Sequence, residues 1–197
     1  KTLFPYTTLF RSPLVEAYPE LEDSYGKFGR VDTSLHHLLR DGKYQQRFEG
    51  GVRSACFVKW PGVVKAGVVN KNIYSGVDLF TSFLQIAGAE TPTSRVIDGK
   101  PMIESIVNNK PLRNTFYAFA PQKEVQGVRY NNWKLAVDRR AGKIKLLLFD
   151  LEKDPQEIND IAFANATIVQ SLYNLVLQAQ KAVAENMPLQ ETNNFNF

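Results

Sequence analysis

A lysine, Lys43, precedes the run Phe48-Glu49-Gly50-Gly51-Val52-Arg53, and Lys59-Trp60-Pro61-Gly62 follows it. Two adjacent glycines permit a close turn. An ammonium held ahead of such a turn can sit beside a bound anion as an electrostatic clamp, and its effect grows as water is excluded. Lys43 is therefore the candidate anion ligand. Glu49 and Arg53 flank the glycines four residues apart and read as structural, with opposite charges that pair or tie loose backbone groups of the turn. His36 and His37 are adjacent. Neighbours on a helix diverge by about 100°, which makes them a poor joint metal site, although one of them could reach a substrate from the loop ahead of Lys43. Asp154-Pro155-Gln156-Glu157 reads as an exposed turn between a strand and a helix, not as an acid/base pair. Cys56, the single cysteine, reads as a small buried hydrophobe in an apolar strand. Its other reading is a thiol whose partner lies in upstream sequence. Asn165-Ala166-Thr167 is an N-x-T glycosylation acceptor, which makes Asn165 the candidate modification site.

The elements that would position these groups fall into two halves. Pro13 to Arg47 is polar and glycine-broken, with one helical turn expected at Thr33 to Leu39. Arg53 to Trp60 reads as a buried strand closed by a Pro61-Gly62 turn. Val77 to Ala87 reads as a helix with Val77, Phe80, Leu84 and Ala87 on one stripe, Ser75 as N-cap and Gly88 as its stop. Pro101 to Val107 is a second short helix. Beyond Arg113 four strands are expected, at Thr115–Phe119, Val125–Tyr130, Trp133–Val137 and Ile144–Phe149, with Asn131-Asn132 as a two-residue turn. Tight turns imply an antiparallel meander. Ile168 to Ala184 is the longest helix, with Ile168, Leu172, Leu175 and Ala179 facing the sheet. Tyr130 and Trp133 read as core packing, with stacking on a sugar ring as the alternative. Asn193 to Phe197 reads as a frayed tail.

A length of 197 residues accommodates one domain and a small subdomain. The net charge of +4 comes from scattered lysines and arginines, not from a basic face, which argues against nucleic acid as a partner. No apolar run approaches the ~20 residues of a membrane helix. A single cysteine leaves the redox compartment open.

The order of blocks resembles the sulfatase family, which carries a lysine ahead of E-G-G-x-R and a W-P-G turn. Here the same order continues through Val77-Asp78-Leu79-Phe80, Ile97-Asp98-Gly99, Gly127 to Leu135 and Leu148 to Glu157. Within that family, Arg53 to Val58 and the Met187-Pro188 stretch are similar to the arylsulfatase B group. The resemblance implies an alkaline-phosphatase-like α/β fold, of which this chain would be the C-terminal part, ending in a four-stranded antiparallel sheet packed by a helix. It implies Lys43 as a ligand of the substrate sulfate. Five residues, Tyr44 to Phe48, separate Lys43 from Glu49 where the family has four, so the extra residue either bulges out or turns the lysine off target.

The family's nucleophile, a formylglycine made within C/S-x-P-x-R, has no counterpart in this sequence, and Cys56 lacks the proline and arginine of that signature. Calcium is the implied cofactor, with ligands expected outside this chain and no metal role carried onto Asp23. The implied setting is lysosomal or extracellular. The implied substrates are aryl sulfates or sulfated glycosaminoglycans. A phosphatase or phosphodiesterase of the same superfamily is the enzymatic alternative. The non-enzymatic alternative is a product that binds sulfated glycans or a partner, and the sequence leaves the oligomeric state open. Residues 2–12 match the translation of a short-read sequencing adapter, so 1–12 is expected to be an artefact. The expected parts are then 13–110 as remainder of the catalytic domain, 111–190 as the antiparallel subdomain and 191–197 as tail.

Overall fold

A computed structural model describes residues 39–40, 47–54, 56–120, 123–139 and 142–189. Lys43, His36, His37, Asp23, the 1–12 segment and the 193–197 tail lie outside the described residues.

Four strands form one antiparallel meander in the order β1 (Thr115–Phe119), β2 (Val125–Tyr130), β3 (Trp133–Asp138) and β4 (Lys145–Asp150). The β2–β3 hairpin pairs Tyr130 with Trp133 across Asn131-Asn132, and Asn131 takes the positive φ of 52° that this tight turn requires. The long helix α4 (Ala166–Ala184) follows a single 3₁₀ turn at Phe163–Asn165. Alternation along the strands sends Val128, Leu135, Val137 and Leu148 to the α4 side, where Leu172, Leu175, Val176 and Ala179 meet them.

The other face of the sheet is covered as well. Ala136, Leu147 and Phe149 pack with Leu151 against Phe48, whose ring centroid lies 6.3 Å from that of Phe149. Phe48 precedes α1 (Glu49–Val52), the single helical turn that carries the twin glycines. Gly127 on β2 is needed where this segment crosses the sheet. A Cβ there would stand 2.9 Å from the Leu135 carbonyl oxygen and 3.6 Å from that of Arg47.

Helices α2 (Asp78–Ala87) and α3 (Ile103–Asn108) lie where expected, and Gly88 closes α2 with φ +68°. The orientation of α2 reverses the expectation, because Asp78, Thr81 and Ser82 are buried while Val77 and Phe80 are about half exposed. Asp78 causes this. Its carboxylate accepts the N–H groups of Ser75 and Lys100, at 2.7 and 2.9 Å, and an ion pair from Arg113. Asp78, not the Ser75 hydroxyl, therefore organises the start of the helix. Gly99 approaches the same point so closely that a Cβ would sit 2.2 Å from the Val77 carbonyl oxygen, which accounts for the Asp98-Gly99 step.

Arg53 to Trp60 forms no strand among the described residues, and Phe57 is 71% exposed. Cys56 is exposed too, contrary to its reading as a core residue. An apolar segment becomes a strand by pairing with a neighbour, and the described sheet extends only from β1 to β4. The Trp60-Pro61-Gly62 turn does form, with Val63 and Val64 N–H bonded to the Trp60 carbonyl. No helix among the described residues is long and apolar enough to cross a membrane.

Candidate functional site

Three of the sequence blocks converge on one buried cluster beneath the sheet. Arg129 and Lys134 are cross-strand partners on β2 and β3, so both side chains leave the face opposite α4. The turn at Phe48 brings Glu49 over that face. Lys134 Nζ donates to Glu49 Oε1 at 2.9 Å, and Arg129 Nη1 to Glu49 Oε2 at 3.2 Å. Lys134 is fully buried, and Glu49 nearly so.

Glu157 completes the cluster from the loop after β4. It is fully buried at a positive φ of 56°, and its Oε2 accepts the Glu49 N–H at 2.7 Å. The loop is folded around Asp154. The Asp154 carbonyl accepts the Glu157 N–H, and its carboxylate accepts those of Ile158 and Asn159. Arg40 closes the far side. Its Nη1 donates to the Glu157 carbonyl oxygen at 2.8 Å, its own carbonyl accepts the Gly50 N–H, and its guanidinium lies 4.0 Å from the Phe48 ring centroid.

The two carboxyls are driven apart. Burial alone would raise Glu49, but the charges of Lys134 and Arg129 and the hydrogen bond from Lys134 outweigh it and hold the carboxyl below its ordinary 4.5. Burial pushes Glu157 up to about 7, against the pull of Lys134, the Glu49 N–H and Arg40, and the Glu49 charge adds to the rise.

Several expectations change here. Glu49 is structural, and its ion-pair partners are Lys134 and Arg129 on the sheet; Arg53 is exposed, donates its N–H to the Glu49 carbonyl and adds its charge to the lowering of the Glu49 carboxyl. Glu157 is not in an exposed loop. Tyr130 is core and Trp133 packs against it partly buried. Asn165 is half-buried at the head of α4, with Nδ2 donating to the Ile161 carbonyl at 2.9 Å. Sequence reasoning missed Lys134 and Glu157. The signal was present in a lone lysine between Trp133 and Leu135 in an otherwise apolar strand.

Alongside the cluster runs an open cleft of about 1080 Å³ between the 52–76 segment and the β1 edge. Arg53, Lys59, Lys65 and Lys71 line it together with Trp60 and Phe116. No group of three or more His, Cys, Asp or Glu side chains placed to hold a metal occurs among the described residues.

The sequence model of the family described as N-sulphoglucosamine sulphohydrolase, C-terminal, matches residues 40–182. Human N-acetylgalactosamine-6-sulfatase is 29% identical over 181 residues, covering 73% of this chain and 33% of the human one. Rat steryl-sulfatase is 38% identical over 87 residues, covering 44% of this chain and 15% of its own length. Among solved structures, a Bacteroides thetaiotaomicron protein of a glycosaminoglycan-metabolism locus superposes with a TM-score of 0.64 at 20% identity, over 81% of this chain and 35% of that one. Ps i-CgsB in complex with k-i-k-neocarrahexaose gives 0.63 at 25% identity, over 79% of this chain and 34% of that one. The chain thus spans about a third of the length of the N-acetylgalactosamine-6-sulfatase and of the two solved structures. Its sheet and terminal helix are the C-terminal part of an alkaline-phosphatase-like sulfatase fold. On the match over residues 40–182, the chain belongs to the sulfatases, the sulfuric ester hydrolases, through their N-sulphoglucosamine sulphohydrolase C-terminal family.

Proposed function

We propose that this chain serves as the C-terminal part of an enzyme that hydrolyses sulfate esters, such as those of sulfated glycosaminoglycans. The nucleophile would come from sequence outside it. The observation that carries the reading is the convergence of Glu49, Arg129, Lys134 and Glu157, which turns separate sequence blocks into one junction under the turn that follows Lys43. In this reading Lys43 binds a sulfate oxygen and stabilises charge as it develops there, and the junction holds the turn that follows it in sequence against the sheet. Residues 13–110 belong to the catalytic domain and 111–190 form the supporting subdomain.

The five cationic residues that line the cleft, Arg53, Lys59, Lys65, Lys71 and Arg129, suit a polyanionic substrate. Relatives whose names and structures involve an N-acetylgalactosamine 6-sulfate activity and a bound neocarrahexaose favour a sulfated sugar. Calcium would stabilise the sulfate charge when bound. The described residues provide no cluster that fits it, so no step is assigned to it through them. Passage through the secretory pathway, with a glycan on Asn165, accompanies this reading.

The test is to express the chain alone and joined to the coding sequence upstream of Pro13, with calcium and the formylglycine-generating enzyme, and to assay aryl sulfate and sulfated disaccharides. Turnover is expected only from the joined protein. Turnover by the chain alone, or none by a folded joined protein that carries C-x-P-x-R, would refute it.

A further inference from the structure

We propose that Glu157 is a protonation switch beneath the Glu49 turn, seating the turn as a neutral carboxylic acid and loosening it when it ionises. The geometry already isolates this side chain. Glu157 Oε1 is buried without a hydrogen-bond partner among the described residues, while Oε2 is held by the Glu49 N–H. The nearest cations are directed elsewhere. Lys134 and Arg129 bond to the Glu49 carboxylate, and Arg40 bonds to the Glu157 backbone carbonyl, not to its carboxylate. An ionised Glu157 would place its unpartnered oxygen in a dry site next to a carboxylate that is already charged. The charged groups acting on it are Glu49 from α1, Lys134 from β3 and Arg40 from the 39–40 segment, with Arg129 on β2 reaching it through Glu49; the Asp154 carboxylate of its own loop is turned to the Ile158 and Asn159 N–H groups.

Two cations, Lys134 and Arg40, and the Glu49 N–H pull Glu157 towards ionisation, yet burial, helped by the Glu49 charge, outweighs them and brings its midpoint to about 7. The direction follows from linkage. The folded chain holds this proton more tightly than the unfolded chain, so stability falls as pH rises from 4.5 through about 7. The loss arises at the desolvated, unpartnered Oε1, not in the bond from Glu49, which an ionised carboxylate accepts more strongly; drawing the side chain out to water relieves it, and that unseats the Glu49 N–H.

Thermal unfolding of the 197-residue chain between about pH 5 and about pH 8 tests this, beside Glu157→Gln, which mimics the neutral acid. The wild type is expected to lose several degrees across the range while the variant stays level, and the amide protection factors of Glu49 and Gly50, corrected for the intrinsic rate at each pH, should fall only in the wild type. Equal pH slopes in the two proteins would overturn the proposal. If the variant does not fold, the carboxyl-carbon resonance of Glu157 in the wild type decides: a midpoint at or above about 6 supports the switch and a lower one overturns it.

Discussion

Removing Lys134 is the sharpest perturbation of the junction. Lys134→Met keeps the length and volume of the side chain but leaves the Glu49 carboxylate buried with Arg129, at 3.2 Å, as its remaining ion-pair partner. Breaking a buried ion pair by deleting one member typically costs about 3–5 kcal/mol, because the other charge stays desolvated. Arg129 is 22% exposed and still bonds Glu49, which points to the lower end, about 3 kcal/mol. For a chain of this size that lowers Tm by roughly 6–12 °C. Glu49→Gln should cost a similar amount by stranding Lys134. The double variant should cost less than the sum, with a coupling of about 2 kcal/mol in urea unfolding. The acid limb gives a second readout. The Glu49 carboxyl is held below its ordinary value, so its stabilisation is present above 4.5 and is lost as pH falls through the lowered value. Lys134→Met removes that lowering, so the Tm gap between variant and wild type should narrow as pH falls below 4.5. Additive single variants, with coupling under about 0.5 kcal/mol, would mean that the pair does not hold the turn.

Deleting residues 1–12 should leave the urea midpoint unchanged, and a loss above about 1 kcal/mol would show that the segment belongs to the fold. Gly99→Ala forces a Cβ to 2.2 Å from the Val77 carbonyl oxygen. The backbone must shift around Asp78, and calorimetry should register a loss of about 1–3 kcal/mol. With the upstream half joined, Lys43→Ala should lower kcat/KM by ~10²-fold without lowering Tm, and wild-type kinetics would remove the lysine from the sulfate site.

The antiparallel half of the chain was legible in its sequence. Apolar alternation and the Asn131-Asn132 turn define the strands to within a residue, because each strand pairs with its sequence neighbour and its partner is always close at hand. The 53–60 segment misleads for the opposite reason. It has a strand's composition, but composition does not supply a pairing, and among the described residues the segment faces the β1 edge across the cleft without joining the sheet. The α2 stripe fails in a related way, since one buried carboxylate that collects Ser75, Lys100 and Arg113 outweighs the apolar periodicity. The cluster itself was legible only in pieces. Glu49 is 85 positions from Lys134 and 108 from Glu157, and Asp154-Pro155-Gln156-Glu157 has the composition of a solvated turn. Its fourth residue is drawn inward by a backbone N–H on a distant segment, which local composition does not reveal.

The energetics of a buried charged junction raise the question of why the sheet does not use an apolar one. Well-packed hydrophobic residues are often as stable as a buried ion pair or more so, so net stability alone is a weak reason for Lys134. Register is a better one. A one-residue slip of β3 would turn Lys134 towards Leu172 and Leu175 and send Leu135 to the Glu49 side. The slipped state would bury an ammonium without an acceptor and a carboxylate without its lysine, which costs more than misplacing a leucine. The pairing of Arg129 with Lys134 across β2 and β3, both bonded to Glu49, thus ties the register of the sheet to the seating of the turn. The same two ion pairs thus set both the alignment of the β2–β3 hairpin and the seat of the turn that opens at Phe48.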